Sequence, residues 1–241
     1  MGQNKMRIIV LKLILSLSLI TEFGNCFDIG EVLKYDAYFS NINAAEGSLK
    51  IIGIEKIDNA DTYHVQFIAK TKGITNRIFP INDVIDLWLD KSDLLPHRVK
   101  SSIREGKFRK NEDIYFYQED RYAIKNKKKI NLEGDVHSPF SLFYYFRDQE
   151  LDIYKSQKIN ILKGSKIEKI KVIVENNIKV SVPTGVYNCT KIIPTKLEGQ
   201  KFKNNAEMEI YFSDDSNHYP VKIKIKLKFG SLTLKLREII N

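Results

Sequence analysis

The sequence predicts an all-β protein: an antiparallel sheet of about ten strands, curved or closed into a partly open barrel. One aromatic helix at about 138–150 packs on it. Three observations carry this. Apolar and polar residues alternate along most of the chain. Turn-forming residues punctuate the alternation at short intervals. A single stretch, Ser138 to Asp148, departs from it toward helical spacing.

In chain order, the first feature is a leader, 1–26. Lys5 and Arg7 form a basic start, and Ile8 to Ile20 is a mainly apolar run interrupted by Lys12, cleanest from Leu13 to Ile20. That run falls short of the roughly 20 residues a membrane span needs. Gly24-Asn25-Cys26 offers small residues to a signal peptidase, which sets the mature start at Phe27. A cysteine here also permits lipidation at Cys26, although Asn25 sits where a lipobox wants a small residue. The remainder, 27–241, reads as one β-rich domain with no linker inside it. It stays basic after cleavage, since the net charge of the whole chain is +9. Cys189 is then the sole cysteine, so stability rests on the core and not on a disulfide.

Asp28 to Ser40 opens the domain, alternating from Val32 to Phe39, and turns through Asn41-Ile42-Asn43 into Glu46 to Ile54. Asp58-Asn59-Ala60-Asp61 turns into Thr62 to Thr71, where Tyr63, Val65, Phe67 and Ala69 share a face. Ile81 to Asp90 sets Ile85, Leu87 and Leu89 against Asp86, Trp88 and Asp90. His97 to Glu105 and Phe108 to Gln118 form a hairpin through Gly106. Lys125 to Lys129 reads as a basic loop. In the helix, Ser138 is an N-cap and Pro139 fits the first turn. Phe140, Leu142, Phe143, Tyr144, Tyr145 and Phe146 make it apolar nearly all round, which demands burial. Lys166 to Glu175, Ile178 to Val182, Val186 to Ile193 and Ala206 to Ser213 are strands. Val221 to Phe229 alternates apolar residues with Lys222, Lys224, Lys226 and Lys228, then turns at Gly230 into Ser231 to Ile239.

Several of these stretches resemble the bacterial exported proteins catalogued as domain of unknown function 3108. They are Ile29-Gly30-Glu31-Val32-Leu33-Lys34-Tyr35-Asp36, Ala44-Ala45-Glu46-Gly47-Ser48-Leu49, and Arg104-Glu105-Gly106-Lys107-Phe108-Arg109-Lys110. The helix is similar to the family's Asp-Pro-Leu-Ser-x-x-Tyr-Tyr segment, with Ser138 replacing one N-capping residue by another. Pro183-Thr184-Gly185-Val186-Tyr187-Asn188-Cys189, Ser213-Asp214-Asp215 and Tyr219-Pro220-Val221-Lys222 continue the likeness in order. The resemblance implies an exported β-rich domain and lends no catalytic residue.

The residues argue against an enzyme. His64, His97, His137 and His218 lack metal-ligand spacing, and Asp214 to His218 reads as a solvated turn. There is no nucleophile elbow. Cys189 lies mid-strand, and Glu207 and Glu209 sit on the polar face of a strand. No cofactor or metal is implied, and export with no basic-aromatic RNA motif speaks against nucleic acid. Two functional readings remain. In the first, a periplasmic or outer-envelope protein binds a lipid or other amphiphile, with Trp88, Phe143, Tyr144 and Phe146 as the contacts. In the alternative, an assembly module contacts an acidic glycan or partner protein through Lys222, Lys224 and Lys226. For those lysines the ordinary reading is a solvated face that blocks edge pairing.

Overall fold

The computed structural model describes residues 27–148, 151, 157–197, 207–227 and 230–241. The leader, its cleavage site and Cys26 lie outside the described residues. The first half of the chain is a meander: β1 (Val32–Phe39), β2 (Ile42–Ile57), β3 (Ala60–Thr71), a short helix α1 (Gly73–Ile78), β4 (Asn82–Asp90), β5 (Pro96–Glu105), β6 (Phe108–Tyr117), β7 (Tyr122–Lys125) and β8 (Lys128–Asn131). β9 (Val136–His137) and α2 (Leu142–Tyr145) follow. The second half is β10 (Lys158–Lys163), β11 (Lys166–Val182), β12 (Gly185–Lys196), β13 (Glu207–Ser213), β14 (Pro220–Leu227) and β15 (Gly230–Ile240).

All fifteen strands join one sheet, in the order 8-7-6-5-4-3-2-1-15-14-13-12-11-10-9. Every adjacent pair is antiparallel except β9–β10, so the protein is all-β, as its alternation predicts. The first and last strands meet at the centre of the sheet, Val32 opposite Ile240 and Phe39 opposite Leu232. Two wings extend from this seam and end on the unpaired edges of β8 and β9. Tight turns with two left-handed residues set the register: Ser40-Asn41, Asp58-Asn59 and Asn126-Lys127.

Both wings turn their apolar residues onto α2. Phe67 of β3 meets the rings of Phe140, Phe143 and Tyr144 at 5.6, 5.5 and 5.9 Å. On the other wing Phe212 of β13 meets Phe146 at 6.4 Å. The aromatic segment therefore fills the hollow of a curved sheet. A second, smaller core joins Val180, Val182 and Cys189 to Leu33, Tyr35 and Leu236. There the end of the β11–β12 hairpin reaches the central seam, and the Thr184 N–H donates to the Leu236 carbonyl at 3.4 Å.

Four expectations change in detail. The described residues hold fifteen strands and not about ten. Two of the extra strands come from the expected basic loop at 125–129, which is the β7–β8 hairpin. The strands expected at 166–175 and 178–182 are one strand, β11, with a register shift between Glu175 and Ile178. The helix expected over 138–150 is a single α-turn, 142–145, preceded by tighter turns; residues 149 and 150 lie outside the described residues. The reason is local. Ser138 Oγ accepts from the Ser141 N–H, and Ser141 Oγ accepts from the Ser138 N–H, both at 2.9 Å. Ser138 thus caps a turn, and the helix begins after Ser141.

Candidate functional site

The seat of α2 is held by a charge that periodicity does not reveal. Arg147 follows the helix and is fully buried, with an exposure of 1%. Its guanidinium donates in parallel to both carboxylate oxygens of Glu31, at 2.8 and 2.9 Å. The rings of Phe27, Tyr219 and Tyr144 surround it at 5.2, 5.4 and 5.9 Å. Arg147 Nε donates to the Asn217 carbonyl, and His218 Nδ1 donates to the Arg147 carbonyl. The Asp214–His218 turn therefore helps hold the helix. A forked, paired and hydrogen-bonded guanidinium is the form in which a buried arginine is tolerable.

Phe143, Tyr144 and Phe146 come together here, all buried in the main core. Burial raises the Tyr144 phenol well above its ordinary range. Its hydroxyl has no hydrogen-bond partner among the described residues. Trp88 does not join them. It lies on the other face of β4 from Leu87 and Leu89, stacked on His64 at 4.6 Å, with the Arg98 guanidinium 5.0 Å from its ring. The Trp88 N–H donates to Glu55 at 2.7 Å, and this bond, helped by His64, holds the Glu55 carboxyl below its usual range. A shallow groove beside this network includes Asp86 and Asp113. Both acids are already engaged within the fold: Asp86 accepts from Gln66 and meets His64 Nε2 at 3.1 Å, and Asp113 takes both arms of Arg98.

The polar face of the central seam differs. β14 and β15 pair so that Lys222 stands directly opposite Lys235, and Lys224 opposite Thr233. β1 adds Tyr38 across from Thr233. A groove of about 470 Å³ opens there, lined by Tyr38, Asn41, Lys222, Lys224, Ser231, Thr233 and Lys235. The Lys222 ammonium sits 4.8 Å from the Tyr211 ring, and that of Lys235 4.9 Å from the Tyr38 ring. Neither has a carboxylate within ion-pair reach among the described residues. Asp36 faces Lys235 in register, but its carboxylate is taken by Lys72 at 3.0 Å and Arg237 at 3.8 Å. Lys224 has only a loose contact with Glu209, at 3.9 Å. Partial burial, then the charges of Lys224 and Lys235, lower the Lys222 pKa. An anion placed among the three would relieve that repulsion.

Of the lysines expected to bind a partner, Lys222 and Lys224 line the groove. Lys226 lies farther along β14, opposite Ser231, and is not part of the lining. Lys235, Tyr38 and Asn41 escape the linear reading. Lys235 was within reach of it: closing the turn at Gly230 places residue 235 opposite 222.

For other chemistry the geometry offers less. Burial pushes the Cys189 thiol up to about 12, so it carries no thiolate at neutral pH. Among the described residues no three histidine, cysteine or acidic side chains are grouped to hold a metal ion. No helix among them is long and apolar enough to cross a membrane.

A crystal structure of a β-barrel-like protein of domain of unknown function 1849, from Brucella abortus, shares the fold. It has a TM-score of 0.53 at 10% identity, over 88% of this chain and 97% of that one. A lipoprotein candidate from Parabacteroides distasonis aligns with a TM-score of 0.41 at 10% identity, over 88% and 96%. An exported-protein candidate with a YmcC-like fold from Bacteroides fragilis gives 0.37 at 7%, over 89% and 97%. No curated protein matches the chain. A family model matches residues 34–237, most of the chain, and the chain belongs to the family of proteins of unknown function DUF3108.

Proposed function

We propose that the protein is an exported, non-enzymatic binding module of the cell envelope that holds an acidic glycan in the groove of Lys222, Lys224 and Lys235. The observation that carries this is the direct opposition of Lys222 and Lys235 with no carboxylate between them. Like charges facing each other across a sheet are destabilising, and an anion held between them would offset that cost. The rest of the lining suits a sugar. Tyr38 offers a ring face, and Asn41, Ser231 and Thr233 offer amide and hydroxyl partners. Export is supported by the leader. Phe27, the expected first mature residue, is buried against Tyr63 and Tyr144 at 5.6 Å each, so the folded core uses the chain from that point.

Fluorescence anisotropy with a labelled oligogalacturonate tests the reading. Wild type should bind at low salt and release as salt rises. Lys222→Glu with Lys235→Glu should lose binding at least about tenfold, a loss of roughly 1.4 kcal/mol. Equal binding by the double variant contradicts the proposal. Binding of polyglutamate with no binding of the sugar would move the ligand to an acidic polypeptide.

A second reading, an amphiphile held beside α2 by Phe143, Tyr144 and Phe146, is favoured by the unpartnered Tyr144 hydroxyl. Native mass spectrometry of protein from an exporting host should then show a co-purifying lipid-sized mass. A clean apo mass removes this reading and leaves the groove untouched.

A further inference from the structure

The sheet has two rims with different chemistry. One rim carries the β1–β2 turn, α1, the β5–β6 turn, the β7–β8 turn and the β10–β11 turn. The other carries the β2–β3, β4–β5, β6–β7 and β13–β14 connections and the seat of α2. On the first rim α1 has no buried residue. Ile74 and Ile78, one helical turn apart, are 74% and 77% exposed. Phe79, Phe108 and Ile42 stand exposed on the same rim. Exposed apolar residues gathered in this way mark an interaction site.

This display is built. The Lys72 N–H donates to the Ala44 carbonyl, and the Gly106 N–H to the Pro80 carbonyl. Thr71 Oγ1 donates to Asn76 Oδ1 and accepts from the Ile81 N–H. The Phe79 ring lies over Gly106, where an added Cβ would come within 2.7 Å of it. That contact ties α1 to the β5–β6 turn, so Phe79 and Phe108 belong to one surface. The segment is fixed by its backbone while its large side chains face water.

The charges around it have one dominant sign. Arg77, Arg104, Lys107, Lys127, Lys128 and Lys166 stand on the same rim, and none of these side chains is in an ion pair among the described residues; against them the rim carries the acidic pair Asp83 and Glu105, Asp83 accepting from the Arg104 N–H at 2.7 Å. The turns of the opposite rim hold Asp58, Asp93, Glu119, Asp120, Asp214 and Asp215 against Lys91 and Arg121. The molecule is thus polarised along its strands, with an apolar, basic end and an acidic end.

We infer that the α1 rim docks on an anionic lipid surface, with Ile74, Ile78 and Phe79 entering the interface and the basic collar meeting the headgroups. Apolar insertion flanked by Lys and Arg is how monotopic proteins hold anionic membranes. A protein partner would need a complementary acidic rim around its own apolar site, whereas a bilayer supplies both properties at once.

The test is flotation with vesicles of phosphatidylcholine, with and without phosphatidylglycerol. The exported protein carries Cys26→Ser so that no acyl anchor contributes. Wild type should float only with the phosphatidylglycerol vesicles, and less at high salt. Ile74→Ser with Ile78→Ser alters side chains that bury nothing in the fold and should lower partitioning at least about tenfold. The same Ile74→Ser, Ile78→Ser protein should bind oligogalacturonate as wild type does, which separates this surface from the groove. Equal flotation of the Ile74→Ser, Ile78→Ser protein overturns the inference, as does failure of wild type to float. A wild-type dimer that the same substitutions convert to monomer, with no vesicle binding, would make the rim a contact between copies of this chain and also overturns it.

Discussion

At the scale of the residue, the pair Glu31–Arg147 decides how the core is assembled. It joins the start of β1 to the end of α2, 116 positions apart, in a site where both side chains are almost wholly shielded from water. A buried guanidinium without its carboxylate keeps the desolvation cost and loses the compensation. Arg147→Met and Glu31→Gln should therefore each destabilise by about 3–5 kcal/mol. The two together should cost clearly less than the sum, because the double variant leaves no orphaned charge. Urea denaturation of the four proteins measures this, and additive losses would show that the pair does not act as a unit. The pair was not legible in the sequence. Arg147 falls at helical spacing with Phe140, Phe143 and Tyr144, and Glu31 in the stretch that opens the domain, and nothing local says that two residues so distant share one cavity. Trp88 shows the same limit. Alternation put it correctly on the face opposite Leu87 and Leu89, but its burial comes from His64 and Arg98 on neighbouring strands, which only the register reveals.

At the scale of the element, the aromatic segment from Ser138 to Asp148 was the most legible part of the chain, because serine, proline and six apolar residues at helical spacing leave few alternatives; the strand β9 just before it was not. Its length was less legible. The reciprocal bonds of Ser138 and Ser141 compete with a regular first turn, a known tendency of short hydroxyl side chains. The β7–β8 hairpin was missed for the opposite reason: four lysines around Asn126 hide a two-residue turn inside what reads as a solvated loop. His137, at the end of β9, tests how tightly the α2 segment is seated. It is buried against the Tyr145 ring at 4.3 Å, near Ser141, and Asp135 is the charged group that bears on it. Burial lowers its pKa from 6.5 to about 4, against the smaller opposing pull of Asp135. The folded state therefore refuses a proton that the unfolded chain accepts below about pH 6.5. The resulting stability is fully present above that pH and is lost as pH falls toward 4, by about 3 kcal/mol in all. His137→Phe keeps the ring contact and removes the titration. Comparing both proteins at pH 7 and pH 4.5 by urea denaturation should show a shallower acid loss in the variant; identical losses would contradict the assignment.

At the scale of the whole molecule, one sheet carries three separate surfaces. Its concave face is spent on α2, its central seam presents the lysine groove, and one rim gathers apolar and basic residues. The all-β class and the antiparallel meander were legible because alternation and turns repeat along the chain. The meeting of the first and last strands at the centre was not, since it is a long-range pairing with no sequence mark. That pairing brings Tyr38 of β1 beside the lysines of β14 and β15, and so makes a site from a run of basic strand residues. We propose that the lysines of this seam cost the fold stability that a bound anion restores. Urea denaturation of wild type and Lys222→Glu, each with and without an acidic oligosaccharide, tests it most directly. Without ligand the variant should be more stable by about 0.2–1 kcal/mol, because a Glu–Lys pair replaces two facing lysines. With ligand, wild type should gain stability as binding shifts the equilibrium, and the variant should gain little. A variant that is no more stable than wild type, or that gains as much from the ligand, would contradict the claim.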